Sequence, residues 1–167
     1  MKKEDLNKIK KNILKVNKVP NLYEPVLDKK DENYLIKCIK SKFISSHGGK
    51  FLEEFKLLLK NITKSKFVIP VINATSGIYL VLRFLGVNKD QEVLVPAFTF
   101  IGSVNPISYV GANPHFVDIN KKTLCVDFEK LIKYLNLICR VTRHGCINKF
   151  TKKKIKYLIF VHTYGQS

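Results

Sequence analysis

Arginine is scarce in this chain, acidic residues are few, and no stretch stays apolar for long. The 167 residues carry 30 lysines and arginines against 13 acids, a formal charge of +17, yet arginine occurs only as Arg83, Arg140 and Arg143. Selection for nucleic-acid contacts enriches arginine, whose planar fork grips phosphates and base edges, and interleaves it with aromatics. Neither is seen. The lysine excess runs over the whole chain and reads as compositional drift, so a nucleic-acid partner is not expected. No run approaches the ~20 apolar residues of a membrane span. Met1 to Lys18 lacks the unbroken apolar region of a signal peptide. A cytoplasmic protein with no membrane partner is therefore expected. The four cysteines, Cys38, Cys125, Cys139 and Cys146, include no pair with the two-residue spacing of a zinc or redox motif. Cys139, His144 and Cys146 lie close together but lack a further well-spaced ligand. Free thiols in a reducing compartment are the expectation, and no metal site. Repeats and low-complexity linkers are missing too, and nothing in the composition marks a domain boundary.

What the chain does have is alternation. Residues 1–23 form a lysine-rich arm in which Leu6, Ile9, Ile13 and Leu14 are too diluted by charge for a firm helix. Lys30 to Lys42 reads helical. Phe43 to Gly49 reads as a loop, with paired glycines at Gly48 and Gly49. Phe51, Leu52, Phe55, Leu58, Leu59 and Ile62 make an i, i+3, i+4 stripe along a second helix over Lys50 to Thr63. Apolar, β-rich runs then follow at Phe67 to Ile72, Glu92 to Val95 and Pro114 to Val117, separated by helical stretches. That order predicts an α/β sheet with helices on its faces. Asp127 is placed to cap a helix running to Leu137. Ile138 to Lys154 is polar and reads as an irregular surface excursion. Tyr157 to Val161 has the signal of a buried strand. Only His162 to Ser167 follow it, where a covering helix is expected, so the chain is read as truncated within a larger domain.

The turn Asn73-Ala74-Thr75-Ser76-Gly77 falls where a strand is expected to end and a helix to begin. Amides at a helix start are unpaired and the dipole is positive there, which favours an anion such as a phosphate. Pro96-Ala97-Phe98-Thr99-Phe100 ends the next strand and brings aromatics to the same rim. A phosphate cradle beside an aromatic platform suits a flat phosphorylated cofactor. Taken singly, Thr75 also fits a plain helix cap and Phe100 a plain core aromatic.

The ordered set Asn73 to Gly77, Glu92 to Pro96, Phe98-Thr99-Phe100, Asn105 to Tyr109, Gly111 to Asp118 and Val161-His162-Thr163-Tyr164-Gly165 resembles the DegT/DnrJ/StrS aminotransferases. Phe43 to Ser46 and Lys50 to Phe55 are similar to that family's opening segment. The likeness spans about Glu24 to the end. It implies the N-terminal part of the large domain of the aspartate-aminotransferase fold (fold type I, three-layer αβα), with residues 24–167 as a partial large domain whose C-terminal half is absent. It implies pyridoxal 5'-phosphate (PLP) as cofactor, with Ala74 and Thr75 at its phosphate and Phe100 stacked on its ring. It also implies a nucleotide-linked 4-keto sugar and glutamate as substrates of the full-length enzyme, surface-glycan synthesis as its setting, and a homodimer. The excursion containing Gly145 and Asn148 to Ile155 is similar to an insertion in a branch that works in legionaminic-acid synthesis. Asp118 and His162 match recurring family positions to which no catalytic role is given. His47 and Tyr164 stand where a substrate could approach.

The chemistry of such an enzyme also needs a lysine that carries the cofactor covalently and an acid against the ring nitrogen. In the family both lie beyond the strand signal at Tyr157. No lysine here has the matching context, so no catalytic residue is assigned, and the isolated chain is expected to be inactive. The alternatives are an inactive remnant, a PLP-dependent sugar dehydratase, or a basic nucleic-acid-binding module.

Overall fold

The computed structural model describes residues 25–44, 49–143 and 145–165. The arm at 1–23, His47 and His144 lie outside them. The chain divides into two compact units, Met1–Val68 and Ile69–Ser167.

The first unit holds two helices, α1 (Lys29–Lys40) and α2 (Lys50–Thr63). A reciprocal capping box starts α1. The Asp28 carboxylate accepts from the amides of Lys30 and Asp31, and the Asp31 carboxylate accepts from the Asp28 amide at 2.8 Å. Helix α2 ends at Lys64, which adopts the left-handed conformation of a helix stop. Tyr34 meets the edge of Phe51 with ring centres 5.9 Å apart.

The second unit is built on a five-stranded sheet with the order β2-β1-β5-β4-β3. Its strands are β1 (Gln91–Pro96), β2 (Asn113–Val117), β3 (Cys139–Thr142), β4 (Gly145–Asn148) and β5 (Lys154–Leu158). Three helices accompany them: α3 (Ala74–Phe84), α4 (Ile101–Tyr109) and α5 (Phe128–Ile138). Strands β2 and β5 run parallel to β1 on its two sides, while β4 is antiparallel to both β5 and β3. Successive residues of a strand face opposite sides. Accordingly Val93 and Val95 pack with Leu82, Val104, Ile107 and Ala112, on the side of α3 and α4. Leu94 packs with Val117, Leu131, Ile138 and Ile155, on the side of α5. The result is a central sheet with helices on both faces. Each fully buried aliphatic side chain contributes about 1.5–3 kcal/mol, so these two clusters dominate the unit's stability.

A bulge interrupts this alternation. Glu92 is opposite Ile155 but Val93 is opposite Tyr157, so Lys156 is an extra residue in β5. The slip turns Tyr157 toward α3, where its hydroxyl donates to the Leu85 carbonyl at 3.2 Å.

Four sequence expectations are corrected here. Phe67 to Ile72 is not a strand but irregular coil, with Phe67, Ile69 and Ile72 76%, 80% and 90% exposed. No strand among the described residues pairs with it, and Pro70 withholds a ladder donor. The last strand starts and ends earlier than expected, at Lys154–Leu158, although the Ile159 amide still donates to Leu94. The excursion at Ile138 to Lys154 is a regular hairpin, β3–β4, that joins the sheet through β5. Within it Cys139 and Cys146 form a disulfide, so they are not free thiols; Cys38 and Cys125 are not part of one.

One charged side chain lies deep in this sheet. Glu92 is 3% exposed and accepts from His115 Nδ1 at 2.8 Å and Asn148 Nδ2 at 3.0 Å. His115 Nε2 lies 2.9 Å from the Tyr134 hydroxyl. Burial pushes the Glu92 carboxyl up, but hydrogen bonds from Thr151, Asn148 and His115 outweigh it and hold the group below its ordinary 4.5. A depressed folded-state value means that the stabilisation is complete above about 4.5 and is lost as pH falls through the folded value. Glu92→Gln is therefore expected to cost about 1–3 kcal/mol at pH 7 and to flatten the fall in stability between pH 4.5 and more acid conditions. Urea unfolding of both proteins across that range measures it; equal pH dependence would remove Glu92 as the cause.

Candidate cofactor-binding site

The two helices on one face of the sheet start side by side. At the head of α3, Asn73 is extended (φ −162°, ψ 167°) and its side-chain oxygen accepts from the Ser76 amide at 2.8 Å. This is a helix cap of the Asx type. The first intrahelical bond runs from the Gly77 amide to the Asn73 carbonyl at 3.2 Å. The amides of Ala74 and Thr75 precede it, so they face out of the helix start with the positive end of its dipole.

Helix α4 follows the C-terminal end of β1 after a short loop. Phe100 occupies its cap position (φ −72°, ψ 140°) and contributes no side-chain cap bond. Phe100 is 78% exposed, so among the described residues it is not a core aromatic. Gly102, the second residue of α4, is where the heads of α3 and α4 meet. A β-carbon on Gly102 would stand 2.7 Å from Thr75 Oγ1 and 2.9 Å from Phe100 Cδ1. The Thr75 hydroxyl and the Phe100 ring thus share one small space, kept open by the missing side chain of Gly102. Pro106 has no N–H and so withholds the amide that would bond to the Gly102 carbonyl. Further along the pair, Tyr79 and Tyr109 meet edge to face at 6.5 Å.

Ala74 stands at the end of an apolar cleft of about 480 Å³ between α3 and β5, lined also by Gly77, Ile78, Val81, Tyr157 and Ile159. Sequence reasoning singled out Ala74, Thr75 and Phe100, and the structure brings all three to the paired helix starts. It missed Gly102 and Pro106. A glycine two residues after a helix-starting aromatic was the available signal for the first.

The other residues singled out lie elsewhere or play plainer parts. Asp118, at the end of β2, pairs with Lys130 at 2.9 Å, and the hydrogen bond from Lys130 holds its carboxyl low while Asp118 holds the Lys130 amine high. Both are exposed, so the pair adds little stability. His162 packs edge-on against Phe160 at 4.7 Å, and Phe160 stacks on Phe128 at 5.6 Å. Tyr164 is exposed in the 3-10 turn Thr163–Gly165 at φ +54°. No helix among the described residues is long and apolar enough to cross a membrane.

Known proteins are similar to this chain in sequence and in fold. The chain is 34% identical over 146 residues to a GDP-perosamine synthase of Vibrio cholerae, an alignment covering 87% of this chain and 35% of that protein. It is 31% identical over 168 residues to a 3-oxo-glucose-6-phosphate:glutamate aminotransferase of Bacillus subtilis, covering 97% and 34% of the two. Among solved structures, a protein of Streptococcus pneumoniae described as a sugar aminotransferase superimposes in its PMP-form with a TM-score of 0.67 at 26% identity, covering 86% of this chain and 32% of that one. In its PLP-form the TM-score is 0.58 at 29% identity, with 65% and 27% covered. The chain spans about a third of the length of the curated relatives it matches. Residues 25–167 match the model of the DegT/DnrJ/EryC1/StrS aminotransferase family, and the chain belongs to that family.

Proposed function

We propose that this chain is the N-terminal part of a PLP-dependent aminotransferase that places an amino group from glutamate onto a nucleotide-linked 4-keto sugar for glycan synthesis. Residues 24–167 then form the opening part of a fold-type-I large domain, preceded by the basic arm 1–23, and the complete enzyme works as a homodimer. The hairpin β3–β4 and the turn after it belong to a legionaminic-acid type of branch in this reading. The observation that carries it is the meeting of the Thr75 hydroxyl and the exposed Phe100 ring at Gly102, between two helix starts.

The residues present fit the cofactor. The amides of Ala74 and Thr75 and the Thr75 hydroxyl hold the phosphate, with the dipole of α3 favouring its charge. Asn73 fixes the direction of those amides by capping the helix. Phe100 offers its face to the pyridine ring and keeps water from it. When bound, the cofactor supplies the electron sink that lets an amino group move between substrates. The lysine and acid that complete this chemistry have no counterpart assigned among these residues.

Titrating the protein with PLP, followed by absorbance and equilibrium dialysis, tests the reading. Thr75→Ala removes a hydrogen bond to a charged group, about 1.5–3 kcal/mol, and is expected to weaken PLP about 10- to 100-fold. Pyridoxal without the phosphate should not sense this change. Phe100→Ala should weaken both compounds. Unchanged PLP affinity in Thr75→Ala would sink the assignment. The 167-residue chain alone is expected to show no transamination, and borohydride trapping of PLP on one defined lysine would contradict that.

Gly102→Ala gives a second check. Alanine ordinarily favours a helix over glycine by ~1 kcal/mol, but here the added carbon meets Thr75 and Phe100. A loss of about 1–3 kcal/mol from overpacking is expected instead, together with loss of PLP binding. A stabilised variant in denaturant unfolding would show that the two helix heads are not held this close.

A further inference from the structure

We infer that the β3–β4 hairpin is a thiol–disulfide switch, in which the Cys139–Cys146 bond sets how firmly the end of α5 is held to the sheet. This inference is independent of the cofactor reading, since it concerns a different part of the sheet. Cys139 directly follows Ile138, the last residue of α5, and is buried in the cluster beneath that helix. Cys146 lies on the neighbouring strand, paired with Val141 while Cys139 pairs with Asn148. The two α-carbons are 5.8 Å apart, within the range a disulfide bridges without moving the backbone. The thiols of a reduced protein are thus already positioned to close.

The hairpin has few other holds. Only Cys146 and Ile147 of β4 pair with β5. Beyond that pairing, the Lys149 amide donates to Ile138 at 2.8 Å and its amine to Leu137 at 2.9 Å, while Asn148 donates to the buried Glu92 at 3.0 Å. Arg140 and Val141 of β3 are exposed. A strand this short at a sheet edge frays easily, so a covalent tie from its first residue to the neighbouring strand changes its order more than it would in a central strand.

The half-buried Cys146 is the accessible partner and Cys139 the buried one. A low-molecular-weight disulfide such as oxidised glutathione serves as oxidant. The Cys146 thiolate attacks one of its sulfurs and expels a glutathione thiolate. The Cys139 thiolate then attacks the Cys146 sulfur and expels the second. Two protein thiols are oxidised to one disulfide, one glutathione disulfide is reduced to two glutathiones, and the two thiol protons pass to the departing thiolates. In a reducing compartment such a bond is transient and reports the thiol balance.

The experiment equilibrates the protein in glutathione buffers of graded ratio, quenches with iodoacetamide under denaturing conditions, and maps the modified peptides by mass. Hydrogen exchange of the hairpin amides is recorded in parallel. Cys139 and Cys146 are expected to lose alkylation together and reversibly, while Cys38 and Cys125 remain alkylated throughout. Exchange of the amides in 139–148 and in the last turn of α5 should slow about tenfold or more in the oxidised form, as expected for a closed short loop. The amides of β1 should not change. Cys146→Ser should abolish the response to glutathione, and the comparison of oxidised with reduced wild type carries the test should that variant fail to fold. Full alkylation of both cysteines at every ratio, or mixed glutathione adducts alone, would overturn the inference. So would equal hairpin exchange in the two forms.

Discussion

Strand β1 is the constraint on which the larger unit depends. From Glu92 to Pro96 every residue is buried, and both of its edges are occupied, by β2 on one side and β5 on the other. Its alternation divides the interior into two apolar clusters, one under α3 and α4 and the other under α5. Its two ends are committed as well. The first inward residue, Glu92, draws β2 and β4 together through His115 and Asn148, and the last hands the chain to Ala97 to Phe100 at the head of α4. A change in the course of this strand would shift both the polar clamp and the aromatic at the helix start.

Much of this was legible in the residues. The run Val93-Leu94-Val95 between turn signals reads as a strand covered on both faces, and the 3.6-residue stripe of α2 as a helix. Asp127 was placed to cap α5 and does so through the Lys130 amide. The head of α3 was legible because a polar Asx turn before an apolar helical run is a local signal. The site was readable to the extent that its parts lie close in sequence: Asn73, Ala74 and Thr75 on one segment, Phe100 on another.

The errors came where distant partners decide the outcome. Phe67 to Ile72 has strand-like residues, but a strand exists only against a neighbour, and none of the described strands provides one. The converse holds for Cys139 to Asn148. Its residues are polar and its strands only four residues long, below the length at which alternation speaks clearly, yet the partner strand β5 captures it. Gly102 escaped notice because its role depends on Thr75, which sits far away in sequence and next to it in space.

The extra residue in β5 acts as a phase shifter. Ahead of Lys156 the strand presents Ile155 to the side of α5; after it Tyr157 is turned toward α3. Were Lys156 drawn into the regular ladder opposite Val93, the strand would persist but everything beyond it would be rotated by half a turn. Tyr157 would then exchange its place against Leu85 for one against the opposite helix, and the path of the chain toward His162 and Tyr164 would leave from the other side of the sheet. Deleting Lys156 would instead restore the plain alternation and leave Tyr157 opposite Val93, so the bulge at this single position sets the parity of all that follows.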